Sequence, residues 1–135
     1  MDRVACAWLI KNFIDENAEF LFVPAKTASE HVHREDVIPF VMPGAEFARR
    51  GDRITLDIML EKYKLSDPAL FLLAGIVRAA DLSGQNLNVS EADGLRAIVH
   101  GFFLMNLPDD DALKLQYPLF DALYRYCQEQ VNKRN

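Results

Sequence analysis

The chain is poor in cysteine, in glycine and in positive charge, and each shortage removes a class of function. Cys6 and Cys127 are its two cysteines. A secreted, disulfide-stapled domain carries more, in even sets at close spacing, and no C-x-x-C pair of metal-ligand type occurs. Free thiols and a cytoplasmic location are therefore expected. Lysine and arginine number 15 against 20 acidic residues, a net charge of −5. A surface built for nucleic acid is basic, so direct nucleic-acid binding is not expected. No apolar run approaches the ~18 residues of a membrane-spanning helix, and no basic-then-apolar leader precedes Asp2, so no membrane association is expected either. The six glycines form neither a phosphate loop nor a dinucleotide fingerprint, and H-E-x-x-H and G-x-S-x-G are missing. With no flavin, haem or nicotinamide motif to supply electrons, no cofactor is expected, and the chain reads more readily as a binding domain than as an enzyme.

What is present suits one compact domain over 1–135, since half the residues are hydrophobic. Asp2 can cap a helix over 3–14, in which Cys6, Leu9, Ile10 and Phe13 form one buried stripe. Residues 19–23 read as a short aromatic strand ahead of Pro24, and 37–41 as a second strand whose Pro39 favours a sheet edge. Arg49-Arg50-Gly51-Asp52-Arg53 reads as a charged hairpin or loop before Ile54. A short helix follows from Asp57 to Lys64. Asp67-Pro68 opens a helix to about Asp81, and Ser90-x-x-Asp93 is a capping-box variant opening another to about Leu104. Asp109-Asp110-Asp111 sits at the positive end of a last helix that Pro118 should interrupt or kink. The expectation is an α+β fold, predominantly helical: about five or six helices packed with a small antiparallel β-sheet from the N-terminal half.

Ordered motifs run along nearly the whole chain. Asp2-Arg3-Val4-Ala5-Cys6-Ala7-Trp8 is followed by Glu19-Phe20-Leu21-Phe22, Ile38-Pro39-Phe40, Pro43-Gly44, Glu46-Phe47 and Gly51-Asp52-Arg53. Leu60-Glu61-Lys62-Tyr63, Asp67-Pro68-Ala69-Leu70, Arg78-Ala79-Ala80-Asp81 and Asp121-Ala122-Leu123-Tyr124 come after them. In this order they resemble the C-terminal domain of the bacterial chromate-resistance protein B family. The resemblance implies a sensory or accessory role in the chromate response. It also implies that DNA binding belongs to a separate N-terminal region, which is not expected here because the chain opens on the domain motif. Within 41–57 it implies a reactive cluster: an acid at 41, glutamate at 46, histidine at 49, cysteine at 54 and an acid at 57. This sequence keeps Glu46 and Asp57 but has Val41, Arg49 and Ile54 at the others, so no metal is expected there.

Arginine at 49 changes the chemistry. Arg49, Arg50 and Arg53, with Arg3 and Arg78, supply planar forks of N–H donors suited to tetrahedral oxyanions such as chromate, sulfate or phosphate. The alternative is a solvated loop pairing with Glu46, Asp52 and Asp57. Arg78 and Asp81 lie on an almost wholly apolar helix. They either bridge each other, or Arg78 turns inward to Glu46 or Asp57. Cys6, in the first turn of a helix, is the redox candidate, although its place on the apolar stripe suits a small core residue. His31 and His33 read as a solvated pair, and His100 as partly buried.

Three readings follow. The first is a regulatory domain binding a small oxyanion through Arg3, Glu46, Arg49, Asp57, Arg78 and Asp81. The second is a chromate-acting oxidoreductase using Cys6. The third is a helical interaction module without a small-molecule site. The apolar last helix, with Leu115, Leu119, Phe120, Leu123, Tyr124, Tyr126 and Cys127, further suggests a homodimer contact over part of it.

Overall fold

The computed structural model describes residues 1–22, 37–41, 47–48, 50–81 and 89–134. Five α-helices lie among them: α1 (Asp2–Leu9), α2 (Thr55–Lys62), α3 (Pro68–Asp81), α4 (Ser90–Leu104) and α5 (Asp109–Arg134). A π-helical segment, Ile10–Ile14, prolongs α1. Among the described residues no helix is long and apolar enough to cross a membrane.

The centre of the molecule is α1. Ala5, Cys6, Ala7, Trp8 and Leu9 are all buried, so the helix is enclosed all round rather than along the single stripe its spacing suggests. It packs against α2, α3 and α5. Trp8 meets Phe13, Phe120 and Tyr124 at ring-centroid distances of 5.6, 6.3 and 5.6 Å, and its indole Nε1 donates to Asp121 Oδ1 at 2.8 Å. Past Leu9 the winding widens. Asp15 N–H reaches back five residues to the Ile10 carbonyl at 2.7 Å, and the Asn12 side-chain amide takes the Trp8 carbonyl at 2.8 Å. An asparagine that competes for that carbonyl offers the backbone an alternative to the α-helical bond.

The expected β-sheet is absent: the described residues hold no strand. Two isolated bridges stand in its place, Phe40 with Phe47 and Arg50 with Arg53. The fold is helical, not α+β. Pro39 withholds a donor, and the β-branched Val41 has φ +55°, which takes the chain out of the extended region where a ladder continues. Phe20 and Phe40 touch ring to ring at 6.1 Å. The two aromatic segments thus pack by side chains without pairing by backbone. Arg50 and Arg53 close a tight turn in which Gly51 takes φ +61°.

The cap expected at Asp67 is made, while those expected at Ser90 and Asp2 are not. Asp67 Oδ1 accepts the Ala69 N–H at 2.9 Å, capping α3 just before Pro68. Its other oxygen accepts the Tyr124 hydroxyl, tying that cap to α5. Burial and this bond push the Tyr124 phenol up to about 12. The capping box at Ser90 is not made: the Ser90 hydroxyl donates to Glu91 at 2.7 Å, and Asp93 pairs with Arg96 at 2.9 Å. Arg96 has a second task. Its Nε and Nη2 donate to the carbonyls of Ala80 and Ala79 at 3.0 and 3.1 Å, so a guanidinium from α4 closes the negative end of α3. Pro118 does not end the last helix, which continues as one element to Arg134. What it removes is a single bond, the one its N–H would have made to the Lys114 carbonyl.

Candidate functional site

The N-terminus of α2 gathers hydrogen bonds from near and far along the chain. Ile54 is extended and its N–H donates to Asp57 Oδ2 at 3.2 Å. The next two amides are bonded from far along the chain. Thr55 N–H donates to Asp2 Oδ2 at 2.8 Å and Leu56 N–H to Asp2 Oδ1 at 3.1 Å. Asp2 is thus the cap of α2, not of its own helix, and is buried there. Two carboxylates share the positive end of one short helix, which favours negative charge at that place.

Asp57 turns its other oxygen outward. Arg78 Nη1 from α3 donates to Asp57 Oδ1 at 2.7 Å, with Asp57 mostly buried and Arg78 about 38% exposed. Arg78 therefore bridges to α2 rather than to Asp81. Asp57, with both oxygens engaged, fixes the guanidinium, and the rest of its donor fork has no partner among the described residues. An open groove of about 780 Å³ lies over this pair, between α2 and α3. Arg53, Lys64 and Arg78 line it together with Asp52, Asp57 and Glu61. Arg53 pairs with Glu61 at 2.6 Å and also reaches the Asp57 carbonyl at 3.4 Å.

Lys64 comes to the groove by an unusual backbone path. It follows the end of α2 at φ +54°. There Lys64 N–H donates to the Glu61 carbonyl at 3.1 Å and Leu65 N–H to the Leu60 carbonyl at 2.9 Å. This is a Schellman cap, whose left-handed position normally belongs to glycine. A lysine in it carries roughly 1–2 kcal/mol of backbone strain.

Asp57 and Arg78 are thus the candidate residues that the fold brings together. Arg3 is elsewhere, its guanidinium 6.0 Å from the Phe22 ring centroid. Asp81 is the half-buried last residue of α3 and does not line the groove. Glu46, Arg49, His31 and His33 lie outside the described residues. Ile54, where the resemblance places a cysteine, is fully buried in the core. Among the described residues no three His, Cys, Asp or Glu side chains gather as a metal site would require. His100 stacks on Phe103 at 6.0 Å near the exposed end of α4.

Three residues escaped the sequence reading. Asp2 looked like a local cap, Lys64 entered only as the end of a short helix, and Arg96 was not singled out. Arg96 follows Asp93 by three residues, a spacing that suggests only the local pair.

Cys6 is enclosed, with no accessible surface, and its Sγ lies 3.5 Å from Asp2 Oδ1. Burial, and then the neighbouring Asp2 carboxylate, pushes the thiol well above its ordinary range. Cys127 is raised to about 11 by burial and by Glu91. Neither environment supports a thiolate at neutral pH. A thiol reagent at pH 7 should label the native protein slowly and both cysteines quickly once it is unfolded. Labelling of folded Cys6 at the rate of a free thiol would contradict this.

Comparison with known proteins agrees with the motif order. Residues 1–127 match the family described as ChrB, C-terminal domain. Protein ChrB of Cupriavidus metallidurans is 37% identical over 131 residues, covering 93% of this chain and 37% of that protein. The chain thus spans little more than a third of the length of this relative. No solved structure matches. A match over 1–127, joined to this identity, establishes that the chain belongs to the ChrB C-terminal domain family.

Proposed function

We propose that the domain serves the bacterial chromate response by binding, holding a small tetrahedral oxyanion in the groove between α2 and α3. The observation that carries this reading is the convergence of Arg53, Lys64 and Arg78 on one open groove of an otherwise acidic chain. Arg78 is preorganised by Asp57, and Lys64 is held in place at the expense of backbone strain. Strain of that kind concentrates at working sites. The three carboxylates oppose the anion, so binding should be weak and should fade as salt screens the exposed charges. A buried thiol gives the redox alternative no exposed nucleophile to work with.

Lys64→Gly separates function from folding. Glycine accepts the left-handed backbone, so the variant should be as stable as the parent or more so, by up to about 1 kcal/mol. The lost cation should weaken chromate and sulfate binding several-fold. Calorimetric titration at low and physiological salt, on the parent, Lys64→Gly and Arg53→Ala, tests the proposal. No binding by the parent at low salt, or equal binding by all three, would leave the groove as an ion-pair network that only holds α2 to α3.

A further inference from the structure

From 97 to 108 the sequence contains no Asp, Glu, Lys or Arg, although most of this stretch lies on the surface. The buried positions of α4 are Ala92 and Leu95. Beyond them Ile98, Phe103, Leu104 and Met105 are 49, 77, 68 and 57% exposed, and Leu115 on the adjoining start of α5 is 53% exposed. The helices explain why. α4 packs on α3, and α5 on α3 and α1, but α4 and α5 do not pack along each other. The end of α4 therefore projects past the core with apolar side chains on several sides. A cluster of exposed apolar side chains of this kind at one helix end of a small domain marks an interaction site.

We propose that this corner is the face on which a second copy of the chain docks, the end of α4 pairing with its own counterpart about a two-fold axis. Area supports it. At their stated exposures the five side chains offer on the order of 500 Å² per copy, so a symmetric pairing that covers them all buries at most on the order of 1,000 Å², the threshold of a specific interface. Charge supports it as well. Two chains of net charge −5 repel wherever their acidic surfaces meet, and the uncharged 97–108 stretch is the place where identical ends of α4 can touch with the acidic start of α5 outside the contact. A nucleic acid would find no cation here. An anionic lipid surface would meet Asp109, Asp110 and Asp111, which open α5 directly beside the patch. A self-complementary apolar face closes in a dimer and needs nothing more.

Sedimentation of the parent across about 1–200 µM should show a monomer–dimer equilibrium, a working range set by the micromolar affinities that interfaces near this threshold commonly have. Phe103→Glu replaces an exposed side chain and should leave the thermal midpoint unchanged at concentrations where the parent is monomeric. It should raise the dimer dissociation constant at least about a hundredfold, because a two-fold interface loses the residue twice. Lys114→Ala, an exposed change outside the apolar set, should dimerise like the parent. A monomeric parent throughout the range would overturn the proposal and leave the face to an unlike partner. A Phe103→Glu protein that still dimerises at parental affinity would overturn it equally.

Discussion

Replacing Asp2 by alanine should destabilise the domain by about 2–4 kcal/mol, the sum expected from losing a helix cap and stranding buried amide donors. The side chain accepts from Thr55 and Leu56 on α2 at 2.8 and 3.1 Å, and Cys6 Sγ lies against it. Alanine leaves the two amides facing a cavity from which water is excluded. Asp2→Asn keeps one acceptor oxygen and should cost roughly half as much. Urea unfolding followed by circular dichroism measures both, and an alanine variant within 1 kcal/mol of the parent would show that the α2 amides find other partners. Groove binding should weaken in the alanine variant too, because Asp57 and Arg78 depend on the same helix end.

Trp8→Ala should cost more, about 3–5 kcal/mol, the usual range for emptying a large aromatic site in a core. The indole is almost inaccessible and joins α1 to α5 through Phe120, Tyr124 and Asp121. Against a total stability of about 5–15 kcal/mol, that loss brings a small domain close to unfolding at 37 °C. Trp8→Phe keeps a ring in place and should cost less than half as much, because Asp121 is exposed and water can replace the indole. As Trp8 is the sole tryptophan, its fluorescence reports α1 docking. In the parent, the fluorescence and circular-dichroism transitions should coincide. An alanine variant with a near-parental midpoint would mean that α1 contributes little to the core.

Helices were the legible part of this sequence. Asp67-Pro68 and the apolar run behind it give the start of α3, and the acidic triplet gives the start of α5, because caps and helix dipoles act within a few residues. The sheet failed for a related reason. Aromatic and β-branched residues at 19–22 and 37–41 record a preference for a half-buried surface, which side-chain packing satisfies as well as a ladder does. Nothing in the composition of 37–41 announces that Val41 takes a left-handed conformation. At the site, Arg78 was readable because a charge on an apolar helix must find a partner, and Asp57 was among the few available. Asp2 was misassigned because a cap is sought on the helix that follows it, while this carboxylate serves a helix 53 residues away. Lys64 was invisible, since its position depends on how α2 ends rather than on what precedes it.

The indole bond to Asp121 also sets a timetable. Its partners are 113 residues apart, so at roughly 5–20 residues per second of synthesis Trp8 leaves the ribosome on the order of ten seconds before the carboxylate that receives it. For about the first half of that interval α1 has neither α3 nor α5 to enclose it, and Trp8 lacks its aromatic partners on α5 throughout. A helix made before its partners is therefore among the last to be buried, and its exposed tryptophan is the surface a chaperone would meet during synthesis.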